Sequence, residues 1–553
     1  MHRRRPGDCG DMGSSMNVIS VKGEIVIKDE KRILSVSQLL KKFNEKTPDH
    51  EVLFDGYKRM SYGELWNQSL NLANGLRKLG IKRGEKVAVC LPNWNEFVVV
   101  YMASAHLGAV LVPFNTRYRT DEVEYILKDS EAKIVFFTEE FSGINHHDQF
   151  TTAIKEANSL EILISVRSNL VGIQSYEKLL EDNENTLFEP VVLDAERDIF
   201  SILYTSGSTG PPKGAMLTHN NVVSTGTITA DKMECTAADV FYIAVPLFHV
   251  FGLVPSILSA VAVGARMVLA DKYNAKASLE MMESEKVTVK HGVPTMFILE
   301  LNHDEFFKYD LSSLRTGIIA AAPCPVEIVK RIRKEMGCEI MVAYGLSETS
   351  PTLTMTSFDD DDITRAETVG KVLPGAEVKI VDENRQERSV GEIGEIACRS
   401  FGVMKGYYNM PMETAAAIDE EGWFYTGDVG VLDNQGNLKI VGRQRELIIR
   451  GGFNIYPREI EEVFYTHADV MEVAVIGLPD TVLGEVVCAC IKLKPNAHAN
   501  EQDLLNFIEQ KIADYKVPDK LILLTEFPMT ASGKIQKIVL EENIKNLMIG
   551  ELR

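Results

Sequence analysis

The chain has 553 residues, room for roughly three to four average domains, and its 45% hydrophobic and 25% charged content suits buried cores and excludes wholesale disorder. Its 59 basic and 79 acidic residues give a formal net charge of −20, which argues against nucleic acid or an anionic membrane surface as the main partner. An anionic ligand must therefore be met by locally placed lysines, arginines and backbone N–H groups.

The basic opening MHRRRPGDCGDMGSS has no apolar stretch behind it and does not read as a secretory signal. Residues 1–34 are expected to be a disordered leader and N-terminal extension. From Val36 to about Gly442, short β-branched runs alternate with amphipathic stretches. KVAVCLP precedes a helix over Asn95–His106, AVLVPFN precedes a helix near Thr120–Lys128, and AKIVFF follows. That rhythm predicts parallel sheets with right-handed crossovers. Further buried strands are read at VTVKHGVP, GIIAAAP and MVAYG, with ligands expected at their carboxyl ends. Between Asp239 and Arg266 no residue is charged, a length that could span a bilayer. Pro246, His249, Gly252, Pro255 and Ser256 interrupt it, so a buried strand, turn and helix are expected instead of an integral membrane span. The acidic run 359–362 reads as a solvated turn.

After Gly375 the period changes to two, predicting an antiparallel hairpin or small barrel. A charged link, GRQREL, then leads to a segment with a helix at Pro457–Thr466, two strands, and a helix at Glu501–Ala513. The fold class predicted is α/β: a large N-terminal domain of parallel-sheet α/β subdomains plus a small barrel (35–442), a hinge (443–447), and a small mobile α+β C-terminal domain (448–553). The eight cysteines, Cys9, Cys90, Cys235, Cys324, Cys338, Cys398, Cys488 and Cys490, form no C-x-x-C pair. Neither zinc nor a disulfide framework is expected, and free thiols in a reducing, cytoplasmic setting are.

The run SILYTSGSTGPPKGAMLTH (201–219) carries the chemistry. Its glycines let backbone N–H groups turn inward, its hydroxyls add donors, and Lys213 adds a point charge, all suited to a polyphosphate. The Walker A spacing is absent, so a P-loop NTPase is disfavoured. By itself such a cluster could equally be a surface linker.

YTSGSTGPPKG resembles the signature of the adenylate-forming superfamily, which includes acyl-CoA synthetases, luciferases and peptide-synthetase adenylation domains. YGLSETS (344–350), GWFYTGD (422–428), GRQRELIIRGGFNIYPREIEE (442–462) and PMTASGKIQK (528–537) follow in the family's order. The resemblance spans about residues 35 to 545 and implies ATP, Mg2+ and coenzyme A as cofactors. It implies that Thr205, Ser206, Gly207, Ser208, Thr209, Gly210 and Lys213 cradle phosphates. Tyr344, Gly345 and Ala322 would border the nucleotide, and Glu348 would ligate Mg2+ with Thr349 beside the phosphate. Asp428 would hold the ribose, Arg443 would reach ribose and phosphates, and Lys534 would bridge the acid's carboxylate and the α-phosphate. Gly451 and Gly452 would let a pantetheine arm pass once the C-terminal domain rotates. The hinge residue is usually aspartate or lysine; here it is Arg445, which keeps a lysine's charge.

The acid pocket is expected around His249, Phe251, Val254, Ala320, Ala321 and Gly345. Amino-acid-activating relatives carry an aspartate near the first of these, and none occurs between Asp239 and Asp271. An unpaired ammonium there would cost several kcal/mol, so an apolar acid is expected. The function implied is an ATP-dependent carboxylic acid–CoA ligase for fatty acids. The alternatives are an aryl acid–CoA ligase, an enzyme loading a carrier protein, a luciferase-like oxygenase (whose S-K-L address the C-terminus lacks), and a non-catalytic sensor, which would not need Lys534. A homodimer is left open.

Overall fold

The computed structural model describes residues 34–184, 187–205, 211–322, 324–495, 497–530 and 534–551, preceded by an antiparallel pairing of Ser20–Val21 with Glu24–Ile25. Residues 1–33 and 34–553 form two compact units. Apart from that pairing and Leu34, the leader expected over residues 1–34 lies outside the described residues.

The second unit contains two large mixed sheets. The first runs Gln174–Ser175, Ile162–Ser165, Ile134–Phe137, Lys86–Cys90, Val110–Pro113, Ile199–Thr205, Lys213–Thr218 and Gly406–Tyr407. Its first six strands are parallel, Lys213–Thr218 runs antiparallel to them, and Gly406–Tyr407 is in turn antiparallel to it. Runs such as IVFF are buried throughout, as strands covered on both faces must be. The second sheet has a parallel centre running from Glu51–Phe54 through Arg266–Leu269, Val240–Ile243, Val289–Lys290 and Thr316–Ile319 to Glu339–Tyr344. Antiparallel strands close both of its ends. Helix Asn95–Leu107 is apolar on nearly every side, and all its residues but Glu96 are buried. A helix of that kind belongs in a core and not at a surface.

The uncharged stretch before Arg266 forms strand Val240–Ile243, a π-helical turn Gly252–Leu258 and helix Ser259–Val263. Among the described residues no helix is long and apolar enough to cross a membrane. The antiparallel texture expected after Gly375 is realised as a four-stranded antiparallel sheet ending in strand Leu438–Arg443. The link that follows is one 3-10 turn, Gln444–Glu446. Beyond it, long strands Val470–Asp480 and Gly484–Leu493 pair antiparallel, and Lys520–Leu523 joins the second in parallel. Helix Glu501–Glu509 is shorter than the sequence pattern suggested, and a 3-10 turn at Asp514–Lys516 follows. The seven cysteines within the described residues are free and buried; Cys9 lies outside them.

Candidate active site

The hydroxyl- and glycine-rich run links two antiparallel strands of the first sheet. Strands Ile199–Thr205 and Lys213–Thr218 pair with Thr205 opposite Lys213, and the Thr205 hydroxyl donates to the Lys213 carbonyl at 3.3 Å. Ser206, Gly207, Ser208, Thr209 and Gly210 lie outside the described residues. Both stems of the hairpin are tied to helix Thr120–Ser130. Tyr125 donates to the Pro212 carbonyl at 3.0 Å, and Tyr204 donates to Asp129 at 2.6 Å.

Facing this hairpin is the turn that follows strand Glu339–Tyr344. Gly345 is fixed by a close approach: a Cβ there would stand 1.3 Å from the Pro351 carbonyl oxygen, so no other residue fits this backbone path. The turn Ser347–Thr349 delivers Glu348, which is 9% exposed and accepts the Tyr407 hydroxyl at 3.0 Å. Burial holds its carboxyl above the usual range, against hydrogen bonds that favour the anion. Thr349 is buried, and its hydroxyl accepts from Leu346 N–H at 2.9 Å while facing the Leu346 and Pro351 carbonyls. In this arrangement it closes its own turn.

Asp428 lies on strand Phe424–Leu432, directly opposite Arg443 in the sheet. One of its oxygens accepts the Tyr344 hydroxyl at 2.7 Å and the other pairs with Arg443 Nε at 3.1 Å. Burial and the Asp428 charge keep the Tyr344 phenol well above its ordinary range. Lys534 comes from the C-terminal segment, on a turn where its N–H donates to the Thr530 hydroxyl at 2.9 Å. Desolvation, with Arg443 nearby, lowers its ammonium to about 8; Asp428 and Glu348 pull the other way. The structure thus brings Lys213, Tyr344, Glu348, Asp428, Arg443 and Lys534 together from five separated motifs.

His249, Phe251 and Val254 lie at the π-helical turn. Pro255 has no N–H to offer, and the carbonyls of this turn are met by side chains. Ser256 donates to Phe251, Tyr101 to Leu253 and His291 Nε2 to Pro255, at 3.1, 3.3 and 3.0 Å. Burial lowers His249 to about 3, with Lys534 adding to the effect, so its ring is neutral. Phe251 stacks on His291 with centroids 5.8 Å apart. Ala320 and Ala321 are partly exposed at the end of strand Thr316–Ile319, and Ala322 is exposed. Ala321 adopts φ +76°, a left-handed conformation uncommon for alanine.

Gly451 and Gly452 form a solvent-exposed turn with φ +57° and +88°. Arg445 is exposed on the 3-10 turn. Beside it, Glu446 accepts Lys537 at 3.1 Å, and the same ammonium reaches Glu461 at 2.7 Å. Among the described residues no group of three or more His, Cys, Asp or Glu could hold a metal. A lone carboxylate, Glu348, does fit Mg2+, which keeps waters and substrate phosphate oxygens as its other ligands. Sequence reasoning missed Tyr125, Asp129 and Tyr407. The G-Y-Y run at 406–408 was the one available signal.

Two α/β sheets, a hydroxyl-rich hairpin, two buried carboxylates and a cation contributed by a C-terminal α+β segment define an adenylate-forming enzyme. The chain belongs to the AMP-binding enzyme family: the family model matches residues 40–408, and the AMP-binding enzyme C-terminal domain matches residues 459–534. It is of the acyl-CoA synthetase type, an AMP-forming acid–thiol ligase. It is 39% identical over 530 residues to "Putative acyl-CoA synthetase YngI" of Bacillus subtilis, covering 92% of this chain and 96% of that one. It is 32% identical to the human mitochondrial medium-chain acyl-CoA ligase ACSF2, covering 92% of this chain and 88% of the relative. Among solved structures, the anthranilate CoA ligase AuaEII in complex with anthranoyl-AMP superposes with a TM-score of 0.86 at 27% identity, covering 92% and 97% of the two chains.

Proposed function

We propose that the chain joins a fatty acid to coenzyme A, activating the carboxylate at the Glu348–Asp428–Lys534 site. The observation that carries this reading is the buried Asp428, whose two oxygens take the Tyr344 hydroxyl and Arg443 Nε, with the Lys534 ammonium within reach of the charges of Arg443, Asp428 and Glu348. A carboxylate repels nucleophiles and has no workable leaving group, and transfer to AMP removes both obstacles. One carboxylate oxygen attacks the α-phosphorus of ATP, the bond to the bridging oxygen breaks, and pyrophosphate leaves. Lys534 neutralises charge between the two approaching anions, which is where a fixed cation stabilises the transition state most. The run from Thr205 to Gly210, with Lys213, holds the departing phosphates. Asp428 and Arg443 hold the ribose, and Tyr344 lies against the base while its hydroxyl orients Asp428. Glu348 would hold Mg2+, whose contribution is to screen charge on the phosphates.

In the second step the thiol of coenzyme A loses its proton to solvent. Its sulfur attacks the acyl carbon, and AMP leaves with the electrons of the carbon–oxygen bond. Lys534 must then yield its place, so residues 448–553 rotate about 443–447, with Arg445 as pivot, and the Gly451–Gly452 turn replaces the lysine. The apolar character of Phe251, Val254, Ala320 and Ala321, with no acidic residue from 240 to 270, supports an alkyl acid. The medium-chain name of the mammalian relative supports that length class. An aryl acid is the second reading, favoured by the flat Phe251–His291 stack.

The test is a product assay with ATP, Mg2+ and coenzyme A over short, medium and long fatty acids and several aryl acids. Medium-chain acyl-CoA with AMP as co-product is expected. Lys534→Ala should lower adenylation roughly 10²- to 10³-fold yet still convert supplied acyl-adenylate to thioester. Aryl thioesters alone would overturn the fatty-acid assignment, and acyl-AMP without thioester would point to a carrier-protein acceptor.

A further inference from the structure

The phosphate hairpin has a third strand. Gly406–Tyr407 pairs antiparallel with Lys213–Thr218, Tyr407 facing Ala215. This register sets the Lys213 ammonium 5.1 Å from the Tyr407 ring centroid, within the range of a cation–π contact. The same side chain also reaches the opposite wall, where its hydroxyl donates to Glu348 Oε1 at 3.0 Å. The backbone reinforces the link: Met404 N–H donates to the Glu348 carbonyl at 2.8 Å, and Lys405 N–H to the Met216 carbonyl at 2.9 Å. Residues 404–407 therefore bridge the hairpin that bears the lysine and the turn that bears the acid.

This bridge has an electrostatic consequence. A lysine and a buried carboxylate on facing walls attract each other, and in a site of low dielectric they would close into an ion pair. Such a pair would occupy the space and the charge that a polyphosphate needs. Among the described residues Lys213 and Glu348 are not paired with each other; the tyrosine contacts both. Its ring face holds the cation without neutralising it, and its hydroxyl holds the anion through a single hydrogen bond.

We propose that Tyr407 is a positioning residue for adenylation: it keeps Lys213 and Glu348 apart and oriented, so the phosphate site is assembled before ATP enters. The role rests on the adenylation reading above. It separates into two parts, because Tyr407→Phe keeps the ring and removes the hydroxyl, whereas Tyr407→Leu removes both.

The experiment compares wild type with both variants by acid-dependent ATP–pyrophosphate exchange, ATP affinity by calorimetry, and thioester formation from supplied acyl-adenylate. Tyr407→Phe should slow exchange roughly 10- to 100-fold, the scale of one hydrogen bond to a charged group, with ATP affinity unchanged. Tyr407→Leu should in addition weaken ATP binding about fivefold. Both should convert supplied acyl-adenylate at the wild-type rate. Wild-type exchange in Tyr407→Phe would overturn the proposal, as would equal loss of exchange and thioester formation, which marks general damage. A wild type with no acid-dependent exchange would instead overturn the adenylation reading itself.

Discussion

Lys534 has its ammonium lowered to about 8 by desolvation and the nearby Arg443, while Asp428 and Glu348 partly restore it. The form needed between two anions is the cation. In the free enzyme that cation is lost as pH rises through about 8, so kcat/KM for adenylation should fall above that pH. Bound ATP adds negative charge and favours the ammonium, so the alkaline limb of kcat should lie at higher pH than that of kcat/KM. Pyrophosphate-exchange kinetics from pH 6 to 10 would check this, and coincident limbs for the two parameters would exclude it. The sequence motifs singled out Glu348, Asp428 and Lys534, the residues on which the proposed chemistry rests. Their partners were not legible: that the Thr349 hydroxyl closes its own turn, or that Tyr344 donates to Asp428, depends on geometry that a residue's identity does not encode.

At the scale of elements, helix Thr120–Ser130 was legible from its amphipathic pattern, but its task was not. Tyr125 and Asp129 lie one turn apart, on one side of the helix, and each grips one stem of the hairpin around residues 206–212. The partners are 87 and 75 residues distant in sequence, and no local pattern announces a pairing of that separation. Fixing both stems holds Thr205 and Lys213 in place beside the proposed phosphate site, so that less ordering entropy is lost on binding. Tyr125→Phe removes one grip, a hydrogen bond of about 1 kcal/mol. It should raise KM for ATP about fivefold and leave thioester formation from supplied acyl-adenylate unchanged. Initial-rate kinetics on both half-reactions would measure it, and an unchanged KM would show that the loop needs no clamp.

At the scale of the whole molecule, two half-reactions compete for one site. In the arrangement seen here the Lys534 ammonium feels the charges of Arg443, Asp428 and Glu348, while the Gly451–Gly452 turn stands open to solvent. Motif order suggested two working ends, Lys534 and the glycine turn, and the division of labour between them is part of the proposal. The sequence could not say which of them faces the site, because both arrangements use the same residues. Gly452 offers a way to separate the two steps. Its φ of +88° is one that L-residues rarely adopt, yet a Cβ there would meet nothing within 4 Å. Gly452→Ala therefore creates backbone strain without a clash, about 1 kcal/mol by the usual left-handed penalty. Relief comes by reshaping the turn, and that turn is the surface proposed to take the pantetheine arm. Pyrophosphate exchange, which uses Lys534, should stay at the wild-type rate in Gly452→Ala. Thioester formation from supplied acyl-adenylate should fall, with a rising KM for coenzyme A. If exchange fell as far as thioester formation, the turn would be serving the fold as a whole, and the division of labour between Lys534 and the glycine turn would not hold.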